Sequence, residues 1–155
     1  MPFLIAALPR TLFEPLFSMT DEELTGYDAI RQRVTRKPGF PCRVSLADAE
    51  VGEEVLLVHY EHQSARTPFR ASHAVYVRPA ARQAFPGRDE VPELLRSREI
   101  SLRGFDSTGM MVHADLADGR ELEGAIEKIF AVGEVAYIHL HYAKPGCYAA
   151  RVDRA

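Results

Sequence analysis

The stretch Ile100-Ser101-Leu102-Arg103-Gly104-Phe105-Asp106-Ser107-Thr108-Gly109-Met110-Met111-Val112-His113-Ala114-Asp115-Leu116 reads as two strands, Ile100 to Phe105 and Met110 to Leu116, around a connection made of turn formers. Directly after it, Asp118 is followed three residues on by Glu121, a spacing that caps a helix. Leu122, Ala125, Ile126, Ile129 and Phe130 then recur at helical spacing, which predicts a helix over Arg120 to Phe130 with one apolar face, ending near Gly133. Two further strands, Val135 to Tyr142 and Cys147 to Val152, flank Ala143-Lys144-Pro145-Gly146. A hairpin, a helix and a second hairpin place the helix on an antiparallel sheet.

The rest of the chain fits the same class. Phe3 to Ala7 is a short apolar strand stopped by proline. Thr20 caps a short helix with Glu23, and Ala29 to Thr35 alternates only loosely before the break at Lys37 to Pro41. Glu54 to Tyr60 and His73 to Val77 are β-branched and aromatic runs joined by a polar loop from Gln63 to Arg70. Asp89 is positioned to cap a helix over Val91 to Ser97. The fold expected is α+β, one domain over residues 1–155, with a mostly antiparallel β-sheet and two to four helices.

With 46% hydrophobic and 26% charged residues over 155 positions, the composition is that of a folded domain in water, without an apolar run long enough for a membrane span. A net charge of -3 with no basic stripe argues against nucleic acid as a partner. The N-terminal segment has no basic residues ahead of its apolar stretch, so a signal peptide is not expected and the location expected is cytoplasmic. The only cysteines, Cys42 and Cys147, are far apart and are expected to be free thiols. G-x-G-x-x-G, the P-loop, G-x-S-x-G and H-E-x-x-H are all missing, which removes the main motif-based routes to an enzyme class.

Several pieces in order resemble a known bacterial family. They are Gly39-Phe40-Pro41-Cys42-Arg43, Val51-Gly52-Glu53, Pro68-Phe69-Arg70, His73 through Arg78, Gly146-Cys147-Tyr148 and Arg151 through Arg154. This combination resembles domain of unknown function 1203. The resemblance implies a bacterial protein of this length without an assigned activity. Some members have a second cysteine where this chain has Ser45, so the resemblance does not carry a paired-thiol role to Cys42.

Two function classes remain. One is a binding module for a small anionic ligand or a protein partner. Arg43, Arg70 and Arg78 lie on or beside the two central strands and their loop, with Cys42 and His73 close in sequence, and guanidinium forks suit carboxylate and phosphate. The other is a metal- or thiol-dependent enzyme built from His and Cys. Cys42 beside Arg43 has the setting of a reactive thiol or of a small buried residue.

If Tyr142 faces Cys147 across the last hairpin, Leu140 faces Ala149 and Ile138 faces Arg151. The thiol then lies on one side of the sheet, with His139 and His141 on the other. Two imidazoles need a third ligand, for which His59, Glu61, His73 and His113 are available without a spacing that selects one. No cofactor and no stoichiometric metal are therefore expected.

Overall fold

In a computed structural model describing residues 1–155, ten strands and four helices follow one another along the chain. The strands are β1 (Phe3–Ala6), β2 (Ala29–Arg33), β3 (Pro41–Cys42), β4 (Ala47–Asp48), β5 (Glu54–Gln63), β6 (Ala71–Val77), β7 (Glu99–Phe105), β8 (Met111–Asp118), β9 (Tyr137–Tyr142) and β10 (Tyr148–Arg154). The helices are α1 (Glu14–Phe17), α2 (Asp21–Thr25), α3 (Glu93–Arg96) and α4 (Leu122–Phe130). The fold is α+β, with two five-stranded, mostly antiparallel sheets ordered β1-β10-β9-β7-β8 and β2-β5-β6-β3-β4. β3 pairs parallel with β6. No helix is long and apolar enough to cross a membrane.

The chain divides into two compact units. One comprises Met1–Ala6, Glu61–His73 and Phe85–Ala155; the other comprises Ala7–Tyr60 and Ala74–Ala84. In the first, β7 and β8 form the hairpin read from sequence, and β9 pairs antiparallel with β7 on one side and β10 on the other. Leu122, Ile126 and Ile129 of α4 are fully buried, and Gly104 of β7 lies so near them that an added Cβ would sit 3.1 Å from a methyl of Ile129. Burying each such aliphatic side chain stabilises by about 1.5–3 kcal/mol. Opposed residues share a sheet face, so Gly104 and Ile138, Leu102 and Leu140, and Ile100 and Tyr142 all belong to this apolar side.

The hairpin turn is held by Asp106, whose Oδ1 accepts from the N–H groups of Thr108 (2.8 Å) and Met110 (3.1 Å). Gly109 in the same turn has φ of +90°, and a Cβ there would meet that of Ala65 at 2.3 Å. Glycine is required at that position on both counts. Its carbonyl accepts from Thr67 Oγ1 (3.1 Å), and Gln63 Nε2 donates to Tyr137 Oη (2.9 Å), so the Glu61–His73 segment is anchored on β9 and on the hairpin tip.

In the second unit, β2 pairs with β5 from Ala29 opposite Val58 to Arg33 opposite Glu54. Thr20 caps α2 as expected, accepting from Glu23 N–H at 3.2 Å. Val34, Phe40, Ala49 and Val55 make a buried cluster against which Tyr76 packs.

Three sequence expectations need correction. β5 does not stop at Tyr60 but continues through Gln63. Asp89 does not cap α3, whose N-cap is Pro92; its φ is +59° and its Oδ1 accepts from Phe3 N–H at 2.8 Å, fixing the start of β1. Finally, β10 carries a bulge between Tyr148 and Ala150. Tyr148 does face His141, but Leu140 faces Ala150 rather than Ala149, His139 faces Arg151, and Ile138 faces Val152 rather than Arg151.

Candidate metal centre

β9 exposes neither face to solvent. Ile138, Leu140 and Tyr142 take the helix side, and by alternation Tyr137, His139 and His141 take the other. His139 is 2% exposed and His141 0%. Imidazole carries one N–H donor and one lone pair when neutral, and burial requires partners for both. In His141, Nδ1 stands 2.9 Å from the carbonyl oxygen of Gly146, which can only accept, so Nδ1 carries the proton and Nε2 the lone pair. That Nε2 is buried without a partner, as is Nδ1 of His139.

The Glu61–His73 segment brings two more imidazoles to this face. His62 Nε2 lies 2.7 Å from His73 Nδ1, with the rings stacked at 4.8 Å. His62 also meets His141 edge-on at 4.9 Å and stacks on Tyr148 at 5.1 Å, with ring planes 8° apart. Nδ1 of His62 is buried and has no partner. One ring nitrogen from each of His62, His73 and His141 can be chosen so that all three lie within 4.8 Å of one another.

Burial holds His62, His139 and His141 neutral. His62 is pushed down to about 4, by desolvation first, then by His73 and Arg103. His139 falls to about 3 through desolvation, His62, Arg151 and Arg103. His141 falls to about 2, chiefly through desolvation, which outweighs the opposing hydrogen bond to Gly146. A neutral imidazole with a free lone pair, its other nitrogen held by a carbonyl, is the form that ligates metals. Two nitrogens sharing a zinc at ~2.0–2.1 Å with tetrahedral angles stand about 3.3 Å apart, between the closest and widest spacings here.

Of the third ligands available in sequence, His73 alone joins the histidines of β9. His59 belongs to the other unit, and Glu61 accepts from Arg70. His113 faces Gly104, on the helix side of the sheet. His62 was not among those read as ligands, because it lay beyond the expected end of its strand. The readable signal is that His62 and His73 sit at matching ends of two runs joined by one loop. Arg103, which faces His139 from β7, was not singled out either.

The arginines named from sequence have partners in the protein. Arg43 is 1% exposed and donates to the Pro41 carbonyl at 2.7 Å. Arg78 pairs with Glu53 at 2.7 Å and donates to Ser45 Oγ at 3.3 Å. The Glu53 carboxyl is held below its ordinary value, its hydrogen bonds and the charges of Arg78 and Lys37 outweighing desolvation. Arg70 pairs with Glu61 at 2.9 Å. Arg43 and Arg78 belong to one unit and Arg70 to the other. Neither cysteine is in a disulfide; Cys42 is buried, and its Sγ accepts from the N–H groups of Arg78 (3.3 Å) and Ser45 (3.4 Å).

The fold class is α+β, with buried imidazoles on the face of the antiparallel sheet opposite α4. The family described as Protein of unknown function (DUF1203) matches residues 39–154, and the chain belongs to that family. No curated protein and no solved structure matches the chain.

Proposed function

We propose that the protein binds one divalent first-row transition metal through His62, His73 and His141, leaving a coordination position open. The observation that carries this reading is the buried, unpartnered Nε2 of His141, its tautomer fixed by Gly146, within reach of the His62 and His73 nitrogens. Leaving such a lone pair buried and unsatisfied costs about 1–3 kcal/mol, which a bound metal removes. Imidazole ligands suit zinc, copper, nickel and iron, and three protein ligands with an open position is the pattern of metal sites that act on a substrate.

This reading replaces the metal-free expectation from sequence. It also favours the histidines over the arginines Arg43, Arg70 and Arg78, whose charges are met by carboxylates or a carbonyl. The test is equilibrium dialysis of the untagged chain against micromolar zinc, followed by elemental analysis. About one zinc per chain is expected, falling at least tenfold in occupancy in His141→Ala and His62→Ala. Less than about a tenth of an equivalent in the wild type overturns the reading.

A further inference from the structure

The histidine side of the sheet also holds a cation without a counter-charge. Arg103 on β7 stands opposite His139 on β9, so its side chain leaves the sheet on the face of the imidazoles. It is half-buried, and its hydrogen-bond partner is Ser101 Oγ at 3.4 Å, the long limit for such a bond. No carboxylate lies within ion-pairing distance. Other arginines of this unit are met differently: Arg151 by Asp153, Arg120 by Asp118, Arg96 by Glu123 and Arg70 by Glu61. A second polar group on the same side is equally unanswered, the buried Nδ1 of His139.

We propose that Arg103 is the anion-holding half of the histidine centre, and that the ligand taken there is a small oxyanion, a carboxylate or a phosphate, with one oxygen on the metal and another on the guanidinium. The proposal rests on the metal reading and deepens it. Three neutral imidazoles leave the double charge of a divalent ion uncompensated, and Arg103 adds a third positive charge to partly desolvated surroundings. An anion relieves both. Chloride would neutralise charge but cannot use the parallel N–H donors of the guanidinium, whereas two oxygens on one carbon or phosphorus match that fork and still leave an edge toward the metal. Desolvation holds Arg103 below its ordinary pKa, the sign of a cation lacking compensation. His139, the residue across from it, supplies a further hydrogen-bonding nitrogen to an anion lying between the strands.

The experiment loads the full, untagged chain with cobalt(II) and follows its visible d–d bands. Sodium acetate, inorganic phosphate and sodium chloride are titrated at fixed ionic strength. A saturable band shift with acetate, phosphate or both is expected, and chloride should need at least tenfold more. Saturation by acetate alone assigns a carboxylate, and by phosphate alone a phosphate; each supports the proposal. Arg103→Gln should raise the oxyanion Kd about tenfold or more, the scale of a lost charge-assisted hydrogen bond, without changing cobalt stoichiometry. Arg103→Lys, which keeps the charge without the fork, should weaken binding at least threefold, and it serves as the reading if the glutamine variant does not fold by circular dichroism. Cobalt binding without an oxyanion response, or an unchanged Kd in the folded variants, overturns this inference alone. No cobalt binding in the wild type overturns the metal reading and this one together.

Discussion

The two faces of β9 are built on opposite principles. On one, Ile138, Leu140 and Tyr142 continue a side of the sheet that includes Leu102 and Gly104 and is covered by the Ile126 and Ile129 face of α4. There the aliphatic groups need nothing beyond the exclusion of water. On the other, His139 and His141 are buried as completely, yet one nitrogen of each ring, Nδ1 of His139 and Nε2 of His141, has no partner in the chain. Burial that stabilises the first face works against the second, a cost that the proposed metal would offset.

The largest effect expected from this contrast is acid sensitivity of the metal-free protein. His62, His139 and His141 have folded-state pKa values of about 4, 3 and 2, all below the unfolded value near 6.5. Below pH 6.5 the unfolded chain takes up protons that the folded chain refuses. Stability is therefore intact above 6.5 and lost as the pH falls toward 4, by roughly 1.4 kcal/mol per pH unit for each histidine kept neutral. Urea titrations of chelator-treated protein at pH 7.5, 6 and 5 check this. A flat profile across that window would mean the imidazoles are solvated.

Next in size is the apolar face itself. Ile126→Ala should cost about 2–5 kcal/mol in the same urea titration at pH 7.5, because it opens a cavity between α4 and the sheet. A loss below 1 kcal/mol would show that the helix does not hold that face closed.

The smallest effect has the opposite sign. His139→Leu removes a buried nitrogen that has no partner, so the metal-free protein at pH 7.5 should gain stability, by up to about 2 kcal/mol, or lose none. Its stability should also depend less on pH between 6.5 and 5. A marked destabilisation would reveal a hydrogen bond that pays for the ring and would erase the contrast between the faces.

The same contrast explains how much the sequence disclosed. The apolar face was legible because its evidence is local: the helical period from Leu122 to Phe130, the turn formers from Asp106 to Gly109, and the alternation in β9 are each complete within a few residues. That His139 and His141 share a face follows from the same alternation. The histidine cluster is not legible, because His62 and His73 reach those residues through tertiary placement of the Glu61–His73 segment. The strand carrying His62 continues past the point where its β-branched pattern ends, which propensity does not foresee. The arginines differ for a related reason: sequence displays a cation, but only the structure displays the group beside it, as Glu53 beside Arg78 and Glu61 beside Arg70.

The bulge at Ala149 acts as a parity device. Before it, Tyr148 shares the side of His141; after it, Ala150 and Val152 share the side of Leu140 and Ile138. An uninterrupted ladder would send Tyr148, Ala150 and Val152 all to one side, giving the imidazoles two aliphatic neighbours and driving Arg151 against the helix. A gene losing only the Ala149 codon would still encode nearly the same composition. Its protein would join Tyr148 directly to Ala150 in a regular ladder that still puts Tyr148 opposite His141 and Val152 opposite Ile138, so a one-codon deletion here is expected to be far better tolerated than one at Arg151, which would send Val152 to the other side of the sheet.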